Sequence, residues 1–143
     1  MTVVRRMRVL GLLVALVATV FSLSACNPVY EQDALARLNQ LRAQQGLTPL
    51  VRDAQLDRKA NAQAVRMARQ QQLSHSDLKI GVPSGWKTLG ENVGMGPDVA
   101  TVQTALVNSP GHFANMVNTG YTRVGIGTVV RNGRLYLVQE FLG

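Results

Sequence analysis

Hydrophobic positions recur with helical spacing in two stretches that follow residue 33. In the first, Leu35, Leu38 and Leu41 lie three residues apart, and Gly46 stands where a helix commonly ends in a left-handed residue. Asp53 is a candidate N-cap for the second stretch. The apolar stripe of that second stretch consists of Leu56, Ala60, Ala64, Met67 and Ala68. Together these patterns predict two amphipathic helices.

Periodicity disappears between residues 74 and 97, where glycines and prolines interrupt the chain. We predict that this segment is mostly loop with one short strand, and a loop of this length in a small domain is often functional. Asp98 then predicts the start of a third helix. Val99, Val102 and Leu106 are expected to face the core from that helix.

The last third of the chain predicts a short helix and then a hairpin. Ser109 and Pro110 suit the N-cap and first position of a fourth helix, with the Ser109 hydroxyl accepting a backbone N–H. Residues 122–130 and 135–141 are rich in β-forming residues, and Asn132-Gly133 between them is a strong hairpin signal. Helices, a loop and a terminal hairpin indicate an α+β fold.

The N-terminus has the parts of an export signal. Arg5, Arg6 and Arg8 precede an uncharged run over residues 9–21, which is shorter than the roughly 20 apolar residues that a membrane-spanning helix needs. Leu23-Ser24-Ala25-Cys26 then resembles the bacterial lipobox, which implies cleavage after Ala25 and a diacylglycerol lipid, with fatty acids such as palmitate, on Cys26. The alternative is an ordinary secretory signal that leaves a free thiol.

These features divide the chain into a signal peptide over residues 1–25, a lipidated tether over 26–32 and one domain over 33–143. We therefore expect an exported protein held on a membrane by the lipid on Cys26. The 118 residues after the signal carry twelve basic and eight acidic residues, a net charge of +4. The arginines are scattered, which argues against a nucleic-acid partner. Cys26 is the only cysteine, so an intramolecular disulfide is excluded.

Three residues stand out as candidates for chemistry. The chain has two histidines, His75 and His112, and neither belongs to an apolar helical stripe. The predicted place of His112 near a helix N-terminus disfavours the charged imidazolium. Glu91 lies among glycines in the segment predicted to be loop. Each residue taken alone also fits a surface or structural role.

The residues around these three resemble the CAP superfamily, which includes cysteine-rich secretory proteins, antigen 5 and plant pathogenesis-related proteins, with a bacterial branch called SCP-like. The resemblance covers residues 33–143. It rests on Leu73-Ser74-His75-Ser76, Gly90-Glu91-Asn92-Val93 and Asn108-Ser109-Pro110-Gly111-His112, and continues through Asn115-Met116, Tyr121-Thr122-Arg123-Val124-Gly125-Ile126-Gly127 and Val138-Gln139-Glu140-Phe141.

The resemblance implies an α-β-α sandwich in which a small antiparallel sheet, with the hairpin at its centre, lies between helices. It also implies a cleft that holds His75, Glu91 and His112, with Asn92, Asn108 and Ser109 as supporting residues. The family often has a second acidic residue in the helix before the last histidine, and this chain has none there beyond Asp98. Leu106 and Phe113 also depart from the tryptophan and arginine that are common at their positions.

Four functional interpretations stay open at this point. The first is a binding module for a lipid, a small amphiphile or a cell-wall or protein partner, and we expect this rather than an enzyme. The second is a zinc site at His75, Glu91 and His112, where three ligands and an open position would permit hydrolysis. A Ser-His nucleophile is the third, although no G-x-S-x-G motif is present. In the fourth, the same three residues only brace the loop.

Overall fold

The computed structural model describes Ser24–Ala25 and residues 27–143. Most of the predicted signal peptide, and Cys26 with its predicted lipid, therefore lie outside the described residues. The helices are α1 (Pro28–Gln44), α2 (Ala54–Gln70), α3 (Val99–Val107) and α4 (Pro110–Met116). The strands are β1 (Ser24–Ala25), β2 (Val51–Arg52), β3 (Leu89–Gly96), β4 (Arg123–Arg131) and β5 (Arg134–Leu142).

The sheet has the order β1-β4-β5-β3, and the short strand β2 also pairs with β4, in parallel. The hairpin is therefore central, as predicted. Asn132 and Gly133 at its turn have φ values of 52° and 70°, the left-handed pair that a two-residue hairpin requires. Helix α2 covers one face of the sheet, whereas α1, α3 and α4 cover the other. This three-layer arrangement confirms the α-β-α sandwich.

The backbone of α2 lies directly against β4 because two glycines face it. A Cβ atom at Gly125 or Gly127 would collide with backbone atoms of Leu56 or Ala60. Close approach lets α2 side chains bond the strand: Asp57 Oδ1 accepts the N–H of Ile126 at 2.9 Å. The apolar stripe predicted for α2 is fully buried at this interface.

The first helix starts earlier than the sequence analysis predicted. Residues 28–32 are not a tether but the first turn of α1, because Asn27 caps Val29 N–H at 3.1 Å and Pro28 suits the first helical position. Glu31 in this turn is buried and forms an ion pair with Arg52. Only Asn27 separates Cys26 from the start of α1.

The segment predicted to be mostly loop contains an eight-residue strand, β3. Its glycines do not interrupt the strand but make room for neighbouring side chains. A Cβ atom at Gly94 would lie 2.6 Å from Val102 Cγ1, and one at Gly96 would lie 2.9 Å from Val102 Cγ2. The prediction of one short strand was thus wrong in length, because glycine composition does not distinguish a turn from a packing position.

Two hydrophobic clusters, one on each face of the sheet, are built entirely from residues 34–141. Residues 27–143 therefore contain both cores and strands β2 to β5, and they form a unit able to fold on its own. None of the helices in the described part of the chain combines the length and hydropathy that crossing a bilayer requires.

Candidate functional site

His75 and Glu91 form a directly bonded pair. The Glu91 side chain is 1% exposed and that of His75 is 61% exposed. Glu91 Oε1 lies 2.7 Å from His75 Nδ1 and accepts the backbone N–H of Ser76 at 2.9 Å. A buried carboxylate thus fixes one nitrogen of a ring that is open to solvent.

Helix α2 positions the segment that carries His75. The helix ends at Gln71, whose φ of 54° turns the chain back along the helix. The buried Gln63 side chain donates to the carbonyl oxygen of Ser74 and, at 3.2 Å, to its Oγ. Arg66 donates to the carbonyl oxygen of His75 at 3.3 Å. These contacts fix the backbone on both sides of His75.

Glu140 completes a buried acidic pair that the sequence analysis did not place in the site. Strands β3 and β5 bring Glu91 directly opposite Glu140 in the antiparallel register. Ser76 Oγ donates to Glu140 Oε1 at 3.1 Å, and Lys59 Nζ lies 3.4 Å from the same oxygen. Lys59 also donates to Ser76 Oγ at 2.7 Å. Ser76 therefore links both carboxyl groups and an ammonium group.

The two carboxyl groups hold one proton between them at neutral pH. Burial, together with the hydrogen bond to Glu91 and the negative charge of Glu91, raises the pKa of Glu140 to about 8. Burial also opposes ionisation of Glu91, but hydrogen bonds from Glu140, Ser76 and His75 lower its pKa overall. The Glu91 carboxylate is thus charged while Glu140 keeps its proton.

His112 is the third residue of α4 and is bonded to Ser109. The predicted cap is wrong in its chemistry: Ser109 occupies the N-cap position but makes no side-chain hydrogen bond to the helix backbone. Instead Ser109 Oγ lies 2.9 Å from His112 Nδ1. Burial, and then the charge of nearby His75, lower the pKa of His112. Its imidazole is therefore neutral at neutral pH.

Of the expected supporting residues, Asn92 bonds the α4 segment that carries His112, whereas Asn108 does not contribute a side-chain bond to the site. Asn92 is fully buried, donates to the carbonyl oxygen of His112 at 3.0 Å and accepts from Asn115 at 2.9 Å. It ties α4 to β3. Asn108 is exposed at the end of α3 and, among the described residues, makes no side-chain hydrogen bond.

This arrangement limits the chemistry that the site can perform. Within residues 27–143, no three His, Cys, Asp or Glu side chains are grouped so as to hold a metal ion. Glu91 is bonded to His75 rather than placed beside it as a third ligand. No carboxylate bonds His112 in the described structure, so Ser109 and His112 lack the acid that completes a nucleophilic triad.

Glu140 and Lys59 carried weak signals in the sequence. Glu140 is a single acid within the apolar run of the terminal strand, a position where a charge needs a partner. Its partner could be found only from the strand register. Lys59 lies off the apolar stripe of α2, which is typical of a solvated residue, yet its side chain is 7% exposed.

A groove of about 610 Å³ lies between α2 and the chain segment that follows His75. Its lining is rich in basic and amide side chains from the helix, and Ile80 contributes an apolar wall. The lining residues are Gln55, Arg58, Lys59, Ala62, Gln63, Arg66, Ser76, Asp77, Ile80 and Gly81. Ser76 belongs to both the groove and the acidic pair, so the bonds of that pair also hold one wall of the groove.

The fold and the two histidine-bearing segments define a CAP-type domain. The profile of the family described as "CAP: Cysteine-rich secretory protein family" matches residues 35–141, and the chain belongs to this family. The uncharacterized protein YkwD of Bacillus subtilis (strain 168) is 32% identical over 123 residues, which cover 80% of this chain and 47% of YkwD. This chain thus spans about half the length of that relative.

Solved structures share the fold. An extracellular protein containing an SCP domain from Bacillus anthracis str. Ames superposes with a TM-score of 0.70 and 24% identity, over 80% of this chain and 40% of that one. An outer surface protein from Borrelia burgdorferi gives a TM-score of 0.68 at 19% identity, over 78% and 90% of the two chains. The names of the matched family and of these structures refer to secreted, extracellular or surface proteins.

Proposed function

We propose that this chain is an exported bacterial envelope protein, anchored by a lipid on Cys26, whose CAP domain is a binding module for a lipid, a small amphiphile or a cell-wall or protein partner. The groove beside α2 carries this proposal, since its volume of about 610 Å³ is within the range that small-molecule sites occupy. Turnover has less support because Glu91 and Glu140 are both engaged in internal bonds.

Filling the groove tests the binding function. Ala62 lines the groove and is exposed on α2. We expect Ala62→Trp to occupy the space and to lower the affinity for amphiphiles by about tenfold or more. Ala105→Trp on the exposed face of α3 is the matched control and should leave binding unchanged. Calorimetric titration of residues 27–143 with single-chain amphiphiles provides the measurement.

Equal binding by the parent chain and Ala62→Trp would exclude the groove as the ligand site. Failure of the parent to bind any amphiphile would remove the lipid version of the function. The anchor is tested separately, by mass spectrometry of the mature N-terminus and by fractionation of a Cys26→Ser variant. We expect this variant to leave the membrane fraction, because acyl chains supply the membrane affinity.

A zinc site is the second candidate function, and the bonding of the two imidazoles favours it. His75 and His112 each have Nδ1 engaged, by Glu91 and Ser109 respectively. Neither Nε2 atom has a hydrogen-bond partner among the described residues, and both rings are close enough to interact electrostatically. A carboxylate on the far nitrogen of a histidine is the usual second layer of a zinc site. Bound zinc would supply a water molecule of lowered pKa.

Calorimetric zinc titration of residues 27–143 distinguishes this candidate. We expect micromolar or tighter binding, which is lost in a His75→Ala, His112→Ala double variant. Absence of binding in the parent chain would leave the two histidines as part of the brace that holds the segment after α2. A Gln72→Ala variant, at an exposed position of the same segment, controls for loss of structure.

A further inference from the structure

We propose that the groove beside α2 binds the anionic end of an amphiphile, with a phosphate or carboxylate over Ala62 between Arg58 and Arg66, and the apolar part against Ile80. This inference rests on the proposed binding function and names its ligand class.

The arrangement of the three helix residues supports an anion position. Arg58, Ala62 and Arg66 follow one another at intervals of four and lie on one exposed stripe of α2. The two arginines are about 12 Å apart along the helix axis. The small Ala62 side chain leaves the space between them open, and two long guanidinium side chains can converge on a group placed there.

Neither arginine is neutralised within the described structure. Arg58 makes no ion pair there, and Arg66 donates only to the side-chain oxygen of Gln63 and the carbonyl oxygen of His75. Both residues are exposed. Guanidinium groups that lack a carboxylate partner are the preferred protein ligands for phosphate and carboxylate groups.

The floor of the groove adds a third positive charge. Lys59 Nζ is bonded to Ser76 Oγ at 2.7 Å and to the carbonyl oxygen of Asp77 at 2.6 Å. Its side chain is 7% exposed, and Glu140, 3.4 Å from Lys59 Nζ, is not among the residues that line the groove. Asp77 is the single carboxylate among the lining residues, against three cations.

The apolar end of the groove is formed by the segment after Ser76. Ile80 is 69% exposed although it is a large hydrophobic residue. Next to it, Gly81 has a φ of +75° and lies against the Lys59 side chain. An exposed isoleucine beside a basic cluster suits a ligand that has a charged head and a hydrocarbon tail.

The test compares ligands with one tail and different heads. Residues 27–143 are titrated with dodecyl phosphate, laurate and dodecyl maltoside, each below its micelle concentration, at low and high salt. We expect one or both anions to bind about tenfold or more tighter than the maltoside, and the preference to shrink at high salt. The ranking of dodecyl phosphate and laurate identifies the preferred head group.

Variants assign the preference to the arginines. An Arg58→Gln, Arg66→Gln double variant should lose the preference for anions while it keeps its affinity for the maltoside. The control is an Arg131→Gln, Arg134→Gln variant, which removes the same charge at the hairpin turn. If anions and maltoside bind equally and Ala62→Trp still blocks them, this inference fails but the binding function stands. If no amphiphile binds, this inference and the lipid version of the binding function both fail.

Discussion

Replacing Glu140 with glutamine tests the proton that the buried acidic pair retains. The amide has nearly the shape of the protonated acid, and its oxygen can still accept from Ser76 and Lys59, which lie 3.1 and 3.4 Å from Glu140 Oε1. Glutamine cannot ionise. The comparison therefore isolates the cost of removing the Glu140 proton from the folded protein.

The magnitude follows from the two pKa values. The folded state raises the pKa of Glu140 from 4.5 to about 8, so within this window the folded chain binds one more proton than the unfolded chain. The free energy of unfolding of the parent then falls as pH rises, by up to about 1.4 kcal/mol per pH unit. Across the window from 4.5 to about 8, the total loss is therefore at most roughly 5 kcal/mol.

Urea unfolding at a series of pH values measures the effect. Glu140→Gln should be close to the parent near about pH 5 and more stable than the parent by about pH 8, with a difference that grows over the interval. Other titrating groups are common to both proteins and largely cancel. The shared-proton interpretation would be refuted if the difference in unfolding free energy between the two proteins did not change with pH. It would also be refuted if the parent became more stable relative to the variant as pH rises.

Two further substitutions test other parts of the structure. Gly127→Ala should destabilise the fold by about 1–3 kcal/mol or more, because its Cβ atom would collide with the Ala60 backbone. Gly111→Ala is the control, since a Cβ atom there meets open space, and thermal unfolding compares the two variants. Ser109→Ala should change the free energy of unfolding by less than about 1 kcal/mol, because the hydroxyl does not cap α4. The substitution should alter the tautomer of His112, which loses its Ser109 partner, and NMR of the ring nitrogens measures this change.

Much of the fold was predictable because local chemistry determines it. Asp53 and Asp98 cap α2 and α3 as predicted, with hydrogen bonds of 2.8 and 2.7 Å to backbone N–H groups. The hairpin followed from Asn132-Gly133, two residue types that readily adopt the positive φ angles seen at the turn. In each of these cases the determining residues are neighbours in sequence.

The remaining features depend on residues distant in sequence. Gly94 and Gly96 of β3 leave room for the Val102 side chain of α3. The sequence around these glycines does not show which distant residue packs against them. The same holds for the acidic pair, because Glu91 and Glu140 meet only through the register of β3 and β5. Motif resemblance identified His75, Glu91 and His112, but their division into a Glu91–His75 pair and a Ser109–His112 pair needed the structure.

The most direct test of the binding function is an NMR titration of ¹⁵N-labelled residues 27–143 with dodecyl phosphate. The groove predicts that the largest amide shifts appear at Ala62, Ser76 and Ile80, while Asn132 and Gly133 at the distant hairpin turn stay unchanged. Shifts concentrated away from α2 and the segment after His75, or no shifts at all, would contradict the account.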